Sequence, residues 1–329
     1  MDWGQQLTLS LVSRDQKKSK DPLLSVIVTT YDLRRERYLK RLIKSLVTQT
    51  CRAFETIFVI EKHPVLCQVI EAYAKEEGLT NIQTIFNSST PGISASRNIG
   101  MASSTSSIIS IVDDDVILPD TWVQSVVTLF NDPGIAAATG PVVPKWEEQS
   151  MSWIPPEFHW LFGCSSWFTK NVQSETRNVW GANMAFKRSV LERIGGFSSR
   201  MGGIHGKRLH GEENELSLRL KRASPGGIIF SPSMRVEHCI SRQRLNIRMI
   251  TRSSYDMGRT RLVYSGNKQL LDEEMNVVRR IVENGIGKSL LTLPIRPKKS
   301  ISIFSLAVIV LLFGALGYMN GSSRRSPGL

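Results

Sequence analysis

The sequence predicts an α/β fold built on a doubly wound, mostly parallel sheet, followed by one long apolar helix. Three observations carry this reading. Between residues 23 and 112, short apolar runs rich in β-branched residues alternate with segments whose apolar residues recur at helical spacing. Neither GxGxxG nor GxxxxGK[ST] follows the first run, which disfavours a dinucleotide-binding sheet and a P-loop ATPase. Near the other end, residues 301–319 (ISIFSLAVIVLLFGALGYM) form a stretch of 19 without a charge.

Taken in order, residues 23–30 (LLSVIVTT) read as a buried parallel strand. Residues 38–47 follow as a helix with Leu39, Leu42, Ile43, Leu46 and Val47 on one face. A strand at 54–60, a helix at 65–74, a strand at 81–86, a helix at 93–103 and a strand at 107–112 continue the alternation. Residues 212–222 read as an amphipathic helix with Leu216, Leu220 and Ala223 inward, 227–230 as a strand, and 242–261 as a basic helical region. Sheets of this kind bind ligands beyond the carboxyl ends of their strands, so chemistry is expected after Thr30, Ile60, Phe86 and Val112.

Composition narrows the classes. The chain has 329 residues, 41% apolar and 22% charged, enough for a sizeable core and incompatible with wholesale disorder. Basic minus acidic residues give 42 − 29 = +13, and between Arg235 and Lys299 the balance is 14 − 6 = +8, which points to an anionic partner. No helix-turn-helix, RNP or zinc signature accompanies that charge, so no nucleic-acid partner is expected. Cys51, Cys67, Cys164 and Cys239 are far apart and form no CxxC pair, which fits a reducing compartment.

Residues 1–22 read as a flexible basic lead whose apolar run, LTLSLV, is too short for a signal peptide. Residues 301–319 would span about 28 Å, close to the hydrocarbon thickness of a bilayer. The alternative is a buried core helix. Arg296, Lys298 and Lys299 before the run and Arg324 and Arg325 after it favour a single C-terminal membrane anchor, with 320–329 as a short tail. Basic residues on both flanks leave the orientation weakly specified.

Asp113-Asp114-Asp115 follow the fourth strand directly. Three adjacent acids repel one another unless a cation or hydrogen-bond donors compensate. Hard oxygen ligands of this kind suit Mg2+ or Mn2+, and in an extended segment Asp113 and Asp115 would point the same way with Asp114 opposite. An acidic turn before the helix that starts near Pro119 is the alternative.

Six segments then occur in one order: SVIVTTYD from Ser25, SLVTQTCRAFETIFVI from Ser45, GISASRNIG from Gly92, VDDDV from Val112, GANMAFKRSVLERIGGF from Gly181 and GEENELSLRL from Gly211. Together they resemble the family 2 glycosyltransferases, which have the GT-A fold, a Rossmann-like, mostly parallel sheet, and invert the anomeric centre of a nucleotide sugar. WIPPEFHWLFGC, from Trp153, is similar to archaeal enzymes that extend dolichyl-phosphate-linked sugars, of the glucosyl-dolichyl-phosphate glucuronosyltransferase type. The resemblance implies a catalytic domain over 23–240, with a nucleotide-sugar half (23–140) and an acceptor half (141–240). A basic membrane-proximal region (241–300) and the membrane helix would follow.

Roles follow by the same resemblance. Thr30 and Tyr31 would contact the nucleoside, with Glu61 at the position where relatives bond the uracil ring. Arg97 would lie near the nucleotide, and Asp113 and Asp114 would hold nucleoside or ribose. Asp115 would ligate Mn2+ or Mg2+, with Asp113 and His238 as further ligands. Glu213 aligns with the base that takes the acceptor proton, and Glu212 is its neighbour. The dipole of their helix is expected to keep the base ionised at neutral pH. Plain alternatives are a solvated strand end for Glu61, a surface charge for Arg97, a structural histidine for His238 and dipole partners for the two glutamates. Trp180, Gly181 and Asn183 would shape the acceptor site, and the aromatic segment 141–180 is either an acceptor-side lid or core. The reading is a metal-dependent enzyme moving sugar from a nucleotide-sugar donor, UDP-linked by expectation, to a lipid-linked acceptor in glycan assembly for protein N-glycosylation. Its catalytic domain is expected in the cytoplasm. A polysaccharide acceptor, or a non-catalytic basic membrane binder, are the competing readings. Gly317 and Gly321 form a GxxxG pair that leaves the oligomeric state open.

Overall fold

The computed structural model describes residues 22–88, 91–165, 171–198, 211–224, 227–261 and 275–322. The lead at 1–21, Trp167 and Phe168 of the aromatic segment, and the tail beyond 322 lie outside the described residues.

The first half is the alternation the sequence predicts. It runs β1 (Leu24–Thr30), α1 (Glu36–Val47), β2 (Phe54–Ile60), α2 (Val65–Glu77), β3 (Ile82–Phe86), α3 (Ile93–Ser103) and β4 (Ile108–Asp113). β1 is central and parallel to both β2 and β4, placing Thr30 opposite Ile60 and Thr29 opposite Asp113. Both faces of β1 and β2 are covered, which is why their residues form continuous apolar runs.

The chain then adds β5 (Val116–Ile117), α4 (Trp122–Leu129), β6 (Ala137–Thr139), β7 (Val142–Trp146) and a 3-10 helix at Pro156–Phe162. After these come β8 (Ser174–Thr176), β9 (Asn183–Lys187), α5 (Arg188–Ile194), α6 (Glu212–Ala223), β10 (Ile228–Phe230) and β11 (Val236–Ile240). The large sheet has the order β3-β2-β1-β4-β9-β6-β10-β8. β9 runs antiparallel between β4 and β6, so Asn183 pairs with Val112 beside the acidic run. A small sheet, β5-β11-β7, pairs His238 with Val116 and so delivers the histidine to the same place.

Apolar layers cover both faces of the large sheet. One gathers Leu42, Phe58, Trp122 and Phe158, and the other Ile111, Phe186, Leu191, Leu216 and Leu220. In the aromatic segment, Phe158 and Phe162 are fully buried, and Trp146 meets Phe162 edge-on with centroids 5.4 Å apart. These residues are core.

The C-terminal part comprises α7 (Ile247–Arg261), a π-helical turn (Ile281–Gly287), α8 (Lys288–Thr292) and α9 (Pro297–Ser322). At 26 residues α9 is about 39 Å long, and it is long and apolar enough to cross a membrane. It does not stand apart from the rest. Leu306, Ala307 and Val310 join the main core. A Cβ on Gly285 of the π-helical turn would lie 2.9 Å from Ala307 Cβ and 3.0 Å from Phe158 Cζ. Further along, the backbone of α7 at Gly258 abuts the Gly314 carbonyl, and Gly317 abuts the Tyr255 carbonyl. Gly317, a candidate for pairing with a second chain, is therefore engaged within its own. Small residues let two helix backbones approach this closely. Gly258→Leu is expected to lower stability by about 1–3 kcal/mol through overpacking and to expose the α7–α9 crossing to protease. Thermal denaturation and limited proteolysis in detergent check this.

Candidate active site

β4 ends at Asp113, Asp114 and Asp115 form a turn, and β5 resumes at Val116. Asp113, Asp115 and His238 each offer a ligand atom, and these atoms lie within 4.8 Å of one another. The turn, together with β11, brings them together; a continuous strand pleat, which the sequence suggested, does not. Two carboxylates and an imidazole suit a divalent cation of the Mn2+ kind. His238 Nε2 lies 2.9 Å from Asp115 Oδ1, and both side chains are buried. Burial works against charge on the imidazole, but Asp115 outweighs it and raises His238 to about 10. Burial works against charge on Asp115 too, and there His238, Arg35 and Arg244 hold the carboxyl well below the usual carboxylate range. A proton thus occupies the pair at neutral pH, and a cation must displace it. Mn2+ affinity is therefore expected to rise about tenfold per pH unit between pH 6 and 8, with a proton released. Electron paramagnetic resonance titration checks the slope.

Two cations missed in the sequence complete this corner. Arg35, in a 3-10 turn just after β1, is hydrogen-bonded to Asp114 and lies 3.3 Å from Asp115 Oδ2. Arg244 Nη1 lies 3.7 Å from Asp115 Oδ2. The signal for Arg35 was its position in DLRRER at the first strand's carboxyl end. Asp114, expected to reach nucleoside or ribose, instead turns inward, 2% exposed, onto Arg35. Burial raises it to about 7, with Arg35 opposing and Asp115 adding to the rise. Removing one partner of a buried ion pair costs about 3–5 kcal/mol. Arg35→Met is expected to lose that much stability, measured by chemical denaturation, and Arg35→Lys to recover part of it.

Across the site, Arg97 is 2% exposed and joins two elements. Its Nη1 lies 2.9 Å from Glu212 Oε1 at the start of α6, and its Nη2 lies 3.7 Å from Asp113 Oδ1 at the end of β4. Its Nε is buried without a hydrogen-bond partner among the described residues. Glu213, next to Glu212, is pushed up to about 8 by burial first and by the neighbouring Glu212 charge second. The sequence reading had the helix dipole keeping Glu213 ionised at neutral pH. The structure reverses this, because desolvation and a like charge outweigh a terminal dipole. A Cβ on Gly181 would lie 3.5 Å from Arg97 Nη2 and 3.9 Å from Glu213 Oε1, so this glycine lets the guanidinium and the carboxylate meet the chain closely. Trp180 is half-buried beside it, and its backbone N–H donates to Thr139 Oγ1. Asn183, expected on the acceptor side, is fully buried; it accepts from Trp122 Nε1 at 3.2 Å and donates to the Met234 carbonyl. Its amide braces β9, because a buried polar group must find partners.

At the carboxyl ends of β1 and β2, Thr30 is buried beside Asp114 and the Tyr31 ring is flanked by Lys62 Nζ at 5.0 Å and Arg35 at 5.7 Å. Lys62 has φ +64°, the one such non-glycine among the described residues, a backbone state that costs energy and clusters at functional sites. Glu61, expected to meet a nucleobase, accepts from Ser96 Oγ at 2.6 Å and from the Gly92 N–H at 3.1 Å. Both of its oxygens thus brace the start of α3.

Comparison with known proteins places this geometry in context. The family model described as "Glycosyl transferase family 2" matches residues 25–195. The glucosyl-dolichyl phosphate glucuronosyltransferase of Haloferax volcanii is 26% identical over 251 residues, covering 73% of this chain and 76% of that protein. Among solved structures, the mannosyltransferase PcManGT from Pyrobaculum calidifontis, in complex with GDP-Man and Mn2+, superposes with a TM-score of 0.60 at 15% identity, covering 95% of this chain and 94% of that one. TarS 1–349 of S. aureus superposes with a TM-score of 0.51 at 12% identity, covering 91% and 88%.

Proposed function

The chain belongs to glycosyl transferase family 2 and is a glycosyltransferase of GT-A fold with a divalent-metal site, and from that footing we propose that it moves a sugar, with inversion, from a nucleotide sugar to a polyprenyl-phosphate-linked glycan. The observation that supports this most directly is that one buried guanidinium, Arg97, ties the Asp113–Asp115–His238 cluster to Glu212, the neighbour of Glu213. Asp113, Asp115 and His238 would hold a divalent cation, which would supply positive charge against the negative charge that grows on the departing nucleoside diphosphate.

The protein's own groups do the rest. Glu213 Oε1 faces the Gly181 backbone and receives the proton of the acceptor hydroxyl as that oxygen attacks the anomeric carbon. A raised affinity for protons suits this role, since a base works best with a pKa near the operating pH. Arg97 binds Glu212, whose charge adds to the raised proton affinity of Glu213, and fixes the span between base and metal ligands. Its buried Nε–H, without a partner among the described residues, would meet an anionic oxygen of the donor. Tyr31 and Lys62 stand where the nucleoside would lie. The lipid-linked acceptor is supported by the Haloferax volcanii relative's name and by the apolar helix α9. The catalytic domain would face the cytoplasm, where nucleotide sugars are found.

The test is a panel of nucleotide sugars, UDP-sugars first, supplied with Mn2+ and a dolichyl-phosphate-linked glycan to the full-length protein in detergent. Lipid-dependent nucleotide release, lost in Glu213→Gln, is the expected result. Release that follows a free polysaccharide instead would replace the proposed acceptor.

A further inference from the structure

A cavity of about 620 Å3 lies away from the acidic cluster, between residues 152–157 and the C-terminal helices. Its lining is in part apolar, from Trp153, Ile154, Pro155 and Ile303 of α9. It also carries Lys288, Arg296 and Lys299. None of these three cations has an acidic partner among the described residues. The one acid in the lining, Glu157, accepts from Asn284. Ser289, 3% exposed, also lines the cavity, and its hydroxyl has no hydrogen-bond partner among the described residues. Lys288 and Ser289 follow directly on the π-helical turn, a rare backbone form that is frequent at functional sites. A buried hydroxyl without a partner and three uncompensated cations beside apolar side chains suit a ligand that is anionic at one point and hydrocarbon beyond it.

We infer that this cavity seats the phosphate and the first isoprene units of the lipid-linked acceptor; the inference rests on the proposed function and assigns the acceptor's lipid to one place. Size supports it. About 620 Å3 matches a ligand-sized pocket and is too small for a whole polyprenyl chain, so the tail must leave it. The way out is apolar, since Leu291 and Ile295 beside the cavity are 79% and 76% exposed. Position supports it too. The 3-10 helix Pro156–Phe162 has its first residue in the cavity wall, while the Gly163 that ends it lies against the His238 ring, where a Cβ would come 3.3 Å from Cε1. Seven steps at about 2.0 Å put the Pro156 edge of the cavity about 14 Å from Gly163 and the His238 ring of the acidic cluster. That leaves room for the sugar of the acceptor between its phosphate and the reacting hydroxyl.

The experiment uses the full-length protein in nanodiscs with a photoreactive polyprenyl monophosphate as probe. Cross-links are expected in 152–157 and 284–303, competed by unlabelled polyprenyl phosphate and not by phosphatidylglycerol. Labelling should fall at least tenfold in Lys288→Gln/Arg296→Gln/Lys299→Gln, and likewise in Ile303→Trp, which fills the cavity without altering its charge. Unchanged Mn2+ binding in either variant shows that its catalytic domain is intact. Labelling within twofold of wild type in the intact variants, or equal competition by phosphatidylglycerol, would overturn the inference, the latter making the cavity a general anionic-lipid site. The two readings fail separately. Transfer to the lipid-linked acceptor that persists at the wild-type rate in the variants removes the cavity but keeps the function. Specific labelling without transfer from any nucleotide sugar removes the function but keeps the lipid seat.

Discussion

Glu213→Gln is expected to lower kcat by about two to four orders of magnitude, the range for loss of a positioned general base, while Mn2+ and donor binding stay within about threefold. The amide keeps the shape and hydrogen-bonding reach of the side chain but cannot accept the acceptor's proton. Wild-type kcat/KM should fall about tenfold per pH unit below about 8 and level off above it, because Glu213 must be deprotonated to act. The variant should show no such limb. Stability moves the other way. Folding raises this carboxyl from 4.5 to about 8, so the folded protein holds an extra proton between those values and loses stability as pH rises through them. Glu213→Gln removes that loss and should melt higher than wild type at pH 8 and above. A side chain that costs stability and supplies rate is placed for chemistry, whereas a merely structural Glu213 would lose melting temperature on substitution. Steady-state kinetics against pH and calorimetry read the two halves.

Asp115→Asn should remove metal-dependent transfer by about three orders of magnitude, since a cation offsetting leaving-group charge contributes several kcal/mol and each 1.36 kcal/mol is tenfold. It should also cost about 3–5 kcal/mol of stability without metal, because Arg35 and protonated His238 lose the charge that justifies their burial. His238 then reports the change directly. Its pKa of about 10 depends chiefly on Asp115 against burial, with Cys164 adding to the rise, so loss of the Asp115 charge should move the ring's titration downward. Histidine NMR titration reads this independently of activity. An unaltered His238 titration in Asp115→Asn would show that the pair is not coupled as the structure has it.

The alternation from β1 to β4 was legible because buried parallel strands write themselves as unbroken apolar runs, and the helices between them repeat at 3.6 residues. The acidic run was legible because three adjacent carboxylates at a strand end repel one another unless a cation or hydrogen-bond donors compensate. What escaped was whatever depends on residues distant in sequence. Arg35 and Asp114 are 79 positions apart and meet only because β1 and β4 are neighbours in the sheet. Asn183 sits in a motif that suggested ligand contact, but it is enclosed by Trp122 and Met234. Glu61 was read by the strand end it occupies, yet Ser96 and Gly92 claim both its oxygens. Local pattern reports which face of an element is apolar; it is silent on which polar atoms a neighbouring element will satisfy.

The crossing of α7 and α9 at Gly258 and Gly314 carries a consequence for how the enzyme would meet its substrate. With backbones in contact and α9 sharing the core of the catalytic domain, no tether separates the cleft from the apolar helix. With α9 in a bilayer, the cleft would stand at one fixed height, and encounters with a lipid-borne acceptor would take place in two dimensions. Rate would then follow the acceptor's share of the lipid area and would change little when vesicles are diluted in buffer, whereas the water-borne donor would still obey its bulk concentration.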